Sequence, residues 1–325
     1  MKNNPEDTES SMENKASSVA KEHDDLCLTP IEYEGAYLKN GIIRGITYQV
    51  KLLTWVTWKL LSKKDASKWW LGSEVFKARG FHDLVLKYNT VDGDGKISDK
   101  KCMYRFVQIK HMSCLTGGAK ISINQLLSNE FKDFRQYSLL YLFRSYLNMI
   151  DKFEKITPEQ IVDLMIFTNR DIKSFTFLVP VNKDEIFGFE GKGKRYRFNL
   201  DELRNVPKHP VIVHLRTISS NETHIWDFLS KMVFVVDQPS EPELEKLIVE
   251  DMGKVFHMPQ IFYSDLYKNV FEWFLILENC TAPYLTKEYI IERLKNVKDM
   301  MNLFYEEKIT FVTSDLLSLA NLNIN

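Results

Sequence analysis

Residues 81–110 read FHDLVLKYNTVDGDGKISDKKCMYRFVQIK, and this stretch decides the fold that we predict for the chain. Two apolar runs, 81–88 and 102–110, are separated by Asp-Gly steps that are typical of a turn. This arrangement predicts an antiparallel hairpin. Side chains two residues apart on a strand share a face, so Gln108 and Lys110 are predicted to project together. Pairing through the turn places Asp83 beside Gln108.

Helices and strands are predicted on both sides of the hairpin. Upstream, apolar residues at three- and four-residue steps from Gly41 predict a helix, and 69–76 reads as a short strand. Downstream, the pattern predicts a helix at 125–153, strands at 163–168, 175–181 and 211–215, a turn-rich basic stretch at 183–197 and a short helix at 200–205. Helices then dominate, at 225–236, 241–257, 262–279, 286–304 and 313–321. The predicted class is α/β: a mixed sheet core flanked by helices, with a C-terminal α-helical block.

The chain divides into three predicted regions. Residues 1–29 carry seven acidic residues and three lysines, with almost no large apolar groups, and are predicted to be a disordered acidic tail. Residues 30–218 form the predicted α/β domain, and residues 219–325 the helical C-terminal domain. The whole chain has a net charge of −1. The tail accounts for −4 of it, so the remainder carries +3.

Composition excludes some classes of protein. The near-neutral charge excludes a uniformly basic protein that coats nucleic acid, although a local basic site is compatible with it. The four cysteines form no CxxC pair, which argues against a zinc knuckle and predicts a reducing, intracellular location in the cytoplasm or nucleus. No uninterrupted apolar run approaches the length of about 18 residues that spans a bilayer, so no membrane association is predicted.

The predicted hairpin brings chemically active groups together. Asp83, Gln108 and Lys110 form one cluster, and Glu74 at the end of the preceding strand lies close by. Carboxylate and amide oxygens are hard ligands that suit Mg²⁺, with Mn²⁺ as the alternative. A bound ion of this kind activates water and polarises a phosphoryl oxygen. A neighbouring lysine orients the nucleophile or stabilises developing charge. The cluster therefore points to phosphodiester hydrolysis.

These residues, in this order, resemble the PD-(D/E)XK nuclease superfamily, the restriction-endonuclease-like group. The resemblance is to its Gln-x-Lys branch, which includes Mrr-type restriction endonucleases and effector nucleases of bacterial anti-phage systems. Three later stretches, 138–147, 163–172 and 228–248, are also similar to arthropod proteins that bear this domain. The matching pieces are GITYQ at 45–49, Glu74, FHDLVL at 81–86 and FVQIKH at 106–111.

The resemblance implies a metal-dependent nuclease that hydrolyses DNA, with RNA as the other substrate. It implies metal ligands at Asp83, Gln108 and Glu74, and a catalytic lysine at Lys110. Two departures bear on activity. His82 stands where a second aspartate is usual, and Gln108 replaces an acid. The alternative is a catalytically inactive nuclease-fold protein that binds nucleic acid or a protein. The helical C-terminal block is the surface that we predict for a protein partner.

Several residues admit two readings from sequence alone. Asp83, Gln108 and Lys110 also fit the solvated edge of an ordinary hairpin, and Glu74 fits a surface acid. Tyr48 and Gln49 either support the site or pack in the core, and His111 is read as structural. A second basic cluster lies at 100–105. The predicted nucleic-acid-binding residues, which equally fit a solvated charged face, are Lys192, Lys194, Arg195 and Arg197. The Gly-rich stretches at 92–95 and 188–194 lack the residues that a calcium loop or a phosphate loop requires.

Overall fold

The computed structural model describes residues 38–63, 68–91, 97–112, 120–129, 137–153, 156–206, 208–277 and 282–293. The predicted acidic tail, the Asp-Gly turn at 92–96 and the predicted helix at 313–321 lie outside the described residues. The same holds for residues 294–304 of the predicted helix at 286–304, and for the side chains of Lys100 and Lys101.

Groups of strands and groups of helices follow one another along the described residues. The helices are α1 (Arg44–Ser62), α2 (Ile123–Leu126), α3 (Leu139–Lys152), α4 (Leu200–Asn205), α5 (Pro210–Arg216), α6 (Glu222–Lys231), α7 (Glu241–Met252) and α8 (Pro259–Phe274). The strands are β1 (Trp69–Gly72), β2 (Leu84–Val91), β3 (Ile97–Lys110), β4 (Ile161–Thr168), β5 (Leu178–Pro180), β6 (Lys194–Phe198), β7 (Met232–Val236) and β8 (Leu285–Thr286). Short turns of other helical types occupy Leu38–Ile43, Phe76–Ala78 and Pro158–Gln160.

The eight strands form one mixed sheet in the order β5-β6-β7-β4-β3-β2-β1-β8. The predicted hairpin is confirmed, because β2 and β3 are antiparallel with Leu84 opposite Val107. In contrast, β4 is parallel to both β3 and β7. The predicted α/β class with a mixed sheet flanked by helices is therefore confirmed. The carboxyl ends of β3, β4 and β7 point to the same edge of the sheet.

The sheet separates two apolar cores. On β3 and β4, Val107 and Met165 pack with the apolar side chains of α1, α7 and α8 on one face. The residues that alternate with them, Phe106 and Leu164, pack with α3, α5 and α6 on the other face. Strands covered on both faces consist of nearly continuous apolar residues, as β4 and β7 do.

Several boundaries differ from the prediction. Residues 232–236, predicted as the end of a helix, form β7, and all five are buried. A short, β-branched apolar run suits a strand covered on both faces. Residues 211–215, predicted as a strand, belong to α5, because His209 caps the helix and Pro210 begins it. The predicted helix at 125–153 is two helices, α2 and α3, and β6 lies in the stretch predicted as turns.

The predicted domain boundary after residue 218 does not separate two compact bodies. The described residues from 38 onward belong to one compact unit. β7 pairs with β4 and β6, and β8 pairs with β1. Helices do follow residue 218, but α7 and α8 pack on α1 and complete one of the two cores. Within the described ranges, no helix combines the length and the apolar character that crossing a bilayer requires.

A buried ion network ties β3, β4 and β6 together. Asp163 on β4 has no exposed surface and contacts the guanidinium groups of Arg105, Arg195 and Arg197. Arg105 and Arg195 also contact Asp184, at 2.5 and 3.0 Å. The network therefore joins two carboxylates and three arginines from separate parts of the chain.

We predict that Asp184 stabilises the protein only above acid pH. Burial raises the pKa of this carboxyl. The charge and hydrogen bond of Arg105, together with hydrogen bonds from the Ile186 and Phe187 amides, have the larger opposite effect, so the pKa falls to about 2. A depressed pKa favours the folded state above the unfolded value near 3.8, and the effect disappears as pH falls through about 2. The stabilisation that depends on pH is about 2 kcal/mol.

Urea unfolding of wild type and Asp184→Asn between pH 6 and pH 2 measures this effect. The difference in free energy of unfolding should shrink as pH falls below about 4. The control is Glu190→Gln, because that side chain is exposed and its ion pair with Lys254 is a surface pair. A gap between wild type and Asp184→Asn that stays constant over this range would contradict the prediction.

Candidate functional site

Asp83 and Gln108 meet where β2 begins and β3 ends. Leu84 pairs with Val107, so the next residues in the register are Asp83 and Gln108. The Gln108 side-chain amide donates a hydrogen bond to Asp83 Oδ2. The Ile109 backbone N–H donates to the same oxygen at 2.6 Å. These two donors fix the carboxylate through Oδ2, and Oδ1 faces away from them, towards His82.

Glu74 approaches Asp83 from the segment after β1. Its backbone has a φ of 53°, in the left-handed region that non-glycine residues rarely occupy. Gln49 on α1 holds this segment: its amide nitrogen lies 2.8 Å from Glu74 Oε1, 3.1 Å from Ser73 Oγ and 3.0 Å from the Asp83 carbonyl oxygen. Ser73 Oγ also donates to the Asp83 carbonyl, at 2.7 Å. Gln49 is therefore a positioning residue for both carboxylates.

His82 belongs to the same cluster. Its Nε2 lies 3.4 Å from Glu74 Oε2 and 3.5 Å from Asp83 Oδ1. Its Nδ1 accepts a hydrogen bond from the Gly80 backbone N–H, which leaves Nε2 to face the carboxylates. One ligand atom from each of Glu74, His82 and Asp83 lies within 4.8 Å of the others. The family pattern has an aspartate at position 82, so the sequence indicated that one ligand is missing. The structure places the His82 imidazole at that position.

Lys110 adds a positive charge beside the carboxylates. It follows Gln108 by two residues on β3 and shares its face of the strand. Burial lowers the pKa of the Lys110 ammonium, and the charges of Asp83 and Glu74 act in the opposite direction. The four predicted residues, Glu74, Asp83, Gln108 and Lys110, are thus brought together at one end of the hairpin.

The local environment sets the protonation of the cluster. Burial raises the pKa of Asp83, and the charges of Lys110 and His82 only partly offset this effect. The hydrogen bond to His82 lowers the pKa of Glu74 and raises the pKa of His82 in turn. The Glu74 side chain is 52% exposed, whereas that of Asp83 is 10% exposed. Solvent therefore reaches the cluster on the side of Glu74.

The three side chains fit a divalent cation. Protein oxygen and nitrogen ligands lie about 2.1 Å from Mg²⁺ or Zn²⁺, so opposite ligands are about 4.2 Å apart. The cluster, with its ligand atoms within 4.8 Å, needs only a small contraction to reach that geometry. Gln108 donates its N–H to Asp83, so the contact that the structure shows for it supports the carboxylate. Direct ligation by the Gln108 oxygen stays a prediction.

The predicted nucleic-acid-binding residues all contact carboxylates. Lys192 pairs with Glu243, and Lys194 pairs with Asp171 and Asp237. Arg195 and Arg197 belong to the buried network around Asp163. The buried network gives Arg195 and Arg197 a structural role, whereas Lys192 and Lys194 form surface pairs that contribute little to stability. A role of the four residues in binding nucleic acid stays a prediction.

Two aromatic rings near the site pack against each other, and one of them belongs to the core. Tyr48 is fully buried, and its hydroxyl donates to the Pro239 carbonyl at 3.0 Å. The His111 ring lies 4.5 Å from the Tyr48 ring. Of the two neighbours on α1 whose roles the sequence left open, Gln49 contacts the cluster and Tyr48 contributes to packing.

Sequence reasoning missed His82 and the residues after Glu74. His82 precedes β2 and so need not follow the alternation of side chains along a strand. Its position beside an aspartate, between Gly80 and an apolar strand, was the available signal. The stretch EVFKARG at 74–80 places an aromatic residue and two cations next to Glu74.

The sequence was compared with models of protein families and with curated proteins. No model of a protein family matches the chain, and no curated protein matches it.

Proposed function

We propose that the protein is a metal-dependent nuclease that hydrolyses phosphodiester bonds in nucleic acid. The observation that carries the proposal is the cluster of Glu74, His82 and Asp83, whose ligand atoms lie within 4.8 Å of one another, with Lys110 beside it. The order of these residues along the sequence, which resembles the PD-(D/E)XK superfamily, supports the same conclusion. Action on nucleic acid in the cytoplasm or nucleus is part of the proposal.

Different side chains of the cluster would bind the ion, position its ligands and stabilise charge. Asp83 Oδ1, Glu74 and His82 Nε2 would hold the ion, while Gln108 and the Ile109 amide keep Asp83 in place. Ligation through Nε2 requires the His82 tautomer that carries its proton on Nδ1, so the hydrogen bond from the Gly80 N–H would be lost when the ion binds. When bound, the ion would supply Lewis-acid polarisation of the phosphoryl group and an activated water. The Lys110 ammonium would stabilise negative charge that develops on the phosphoryl oxygens. A mixed set of imidazole and carboxylate ligands favours Mn²⁺ over Mg²⁺, since Mg²⁺ prefers oxygen ligands throughout.

A cleavage screen tests the proposal. Labelled single- and double-stranded DNA and RNA are incubated with the full chain in Mn²⁺, Mg²⁺ or EDTA. We expect cleavage with Mn²⁺, weaker cleavage with Mg²⁺ and none with EDTA. Lys110→Met should lower the rate by about 10²- to 10³-fold. The matched control is Lys246→Met, which makes the same change at an exposed lysine of α7. Equal rates for wild type and Lys110→Met would contradict the role given to Lys110.

A second candidate function is an inactive nuclease fold that binds nucleic acid or a protein. One observation favours it: Oδ2 of Asp83 accepts two hydrogen bonds, which leaves a single oxygen of this carboxylate facing the cluster. No cleavage under any condition of the screen, together with salt-dependent binding of the same substrates, would favour this candidate. Contact with a protein partner through the C-terminal helices belongs to this alternative.

A further inference from the structure

Phe76 is an exposed aromatic residue next to the candidate site. Its side chain is 86% exposed, more than any other large apolar side chain in the described residues. Isolated exposed apolar residues are common on protein surfaces, so exposure alone implies nothing. The position of Phe76 is informative, because it follows Glu74 by two residues, and two residues span at most about 7 Å of chain. The Phe76 backbone therefore lies within about 7 Å of the Glu74 backbone, on the segment that supplies one carboxylate of the cluster.

The segment that carries Phe76 is held in place, and we call residues 74–83 the cluster loop. The Val75 N–H donates to the His82 carbonyl at 3.2 Å, and the Ala78 N–H donates to the Val75 carbonyl at 2.8 Å. Ala78 and Phe81 are fully buried. The loop thus begins and ends in the cluster and presents Phe76 from a fixed backbone, which lowers the entropic cost of binding.

Gly80 lets this loop approach α3 closely. Its φ is 94°, and a Cβ atom built there would lie 2.3 Å from Ser145 Oγ. Only glycine fits such a backbone against a neighbouring helix. The contact fixes the end of the loop that leads into His82.

Two cations follow the aromatic residue in the chain. Lys77 and Arg79 are exposed, and neither forms an ion pair with a described residue. The basic residues of 192–197 differ in this respect, since each contacts a carboxylate. The cluster loop thus offers an aromatic face with two available positive charges, which is the complement of a nucleobase with its phosphates.

We infer that Phe76, Lys77 and Arg79 form a binding surface for single-stranded nucleic acid, with a base stacked on Phe76 and phosphates on the two cations. The inference deepens the proposed function and rests on it, because the strand bound here would lead into the cluster. The bases of a duplex are stacked on one another and do not offer a face to a side chain. The surface therefore selects unpaired strands, of DNA or RNA.

Binding measured in EDTA tests this surface without cleavage. The probes are short fluorescent single strands of DNA and of RNA, the same DNA as a duplex, and a single strand with one abasic position. We expect Phe76→Ala to weaken single-strand binding about ten-fold, which corresponds to about 1.4 kcal/mol. Phe76→Trp should bind like wild type, and Phe76→Leu should bind like the alanine variant. Wild type should bind the abasic strand more weakly than the intact strand, whereas Phe76→Ala should bind the two strands equally. The DNA and RNA arms show which strand the surface prefers.

Salt dependence and a matched variant complete the test. Lys77→Ala and Arg79→Ala should each reduce the slope of log affinity against log salt by about 0.7, the value for one phosphate of a single strand. Val255→Ala is the control, because it removes an exposed apolar side chain far from the cluster. Val255 is 66% exposed, and it precedes Phe256, which packs on Trp58. Trp58 lies nine residues along α1 from Gln49, about 13 Å away. Val255→Ala should bind like wild type.

The outcomes separate this inference from the proposed function. Equal single-strand binding by wild type and Phe76→Ala would overturn the inference, whether or not the protein cleaves. Binding by Phe76→Leu as tight as by wild type would show an apolar contact, as for a protein partner, and would also overturn it. Base-dependent binding that requires Phe76, in a protein that cleaves nothing, would support the inference and count against the nuclease.

Discussion

Asp83→Asn is expected to abolish cleavage, with a loss of at least about 10³-fold, because it removes the charge of the most buried carboxylate in the cluster. An asparagine oxygen still accepts the Ile109 N–H but binds a divalent cation far more weakly than a carboxylate. Calorimetric titration with Mn²⁺ should show the same loss in the absence of any substrate. The measurement therefore separates metal binding from chemistry.

The same substitution should leave the fold intact. Burial raises the pKa of Asp83, so the ionised side chain is less favourable in the folded protein than in the unfolded chain. A neutral asparagine removes that cost, and we expect a Tm equal to or slightly above that of wild type. Asp201→Asn is the matched control, since this acid is 87% exposed and should change neither activity nor Tm. Retained Mn²⁺ binding and cleavage in Asp83→Asn would refute the site.

Asp163→Asn is expected to be the most destabilising of the substitutions considered, by about 3–5 kcal/mol. The carboxylate has no exposed surface and faces three guanidinium groups. Without it, Asp184 alone remains to balance Arg105, Arg195 and Arg197. A buried positive charge without a partner costs several kcal/mol. Urea unfolding at neutral pH measures the loss.

Arg197→Met provides the internal comparison for Asp163→Asn. This variant leaves two arginines facing two carboxylates, and Arg197 is 30% exposed, so the loss should be clearly smaller. Asp163 also lies near the start of β4, five residues before Thr168, which pairs with Lys110. Five strand residues span about 17 Å, so the folded fraction of Asp163→Asn should keep its cleavage rate. Equal losses of stability in the two variants would contradict the charge-balance argument.

The local pattern sufficed to predict the hairpin and the contact of Asp83 with Gln108. Alternation along strands and an Asp-Gly turn are short-range signals, and they fix the register of a hairpin. The parallel pairing of β4 with β3 and β7 joins residues far apart in the sequence, and no local pattern encodes it. The run at 232–236 was therefore predicted as helix, and the boundary after 218 was placed inside the sheet.

The candidate site shows the same division between local and long-range information. Asp83, Gln108 and Lys110 follow from strand geometry, whereas Gln49 reaches the cluster from a helix and precedes Glu74 by 25 residues. The basic stretch at 192–197 looked accessible because its partners, such as Asp163 and Glu243, come from other segments. Sequence showed the charges and not their partners.

The central place of β7 has a consequence for the synthesis of the chain. β7 fills the gap between β4 and β6, yet 63 residues separate it from β4. At about 5–20 residues per second, a ribosome needs roughly 3–13 s to translate them. During that interval an apolar strand edge of the nascent chain has no permanent neighbour, and such edges recruit strands from other chains. Protection from aggregation therefore arrives late, when residue 236 has left the ribosome, and pausing over residues 169–231 lengthens the vulnerable period.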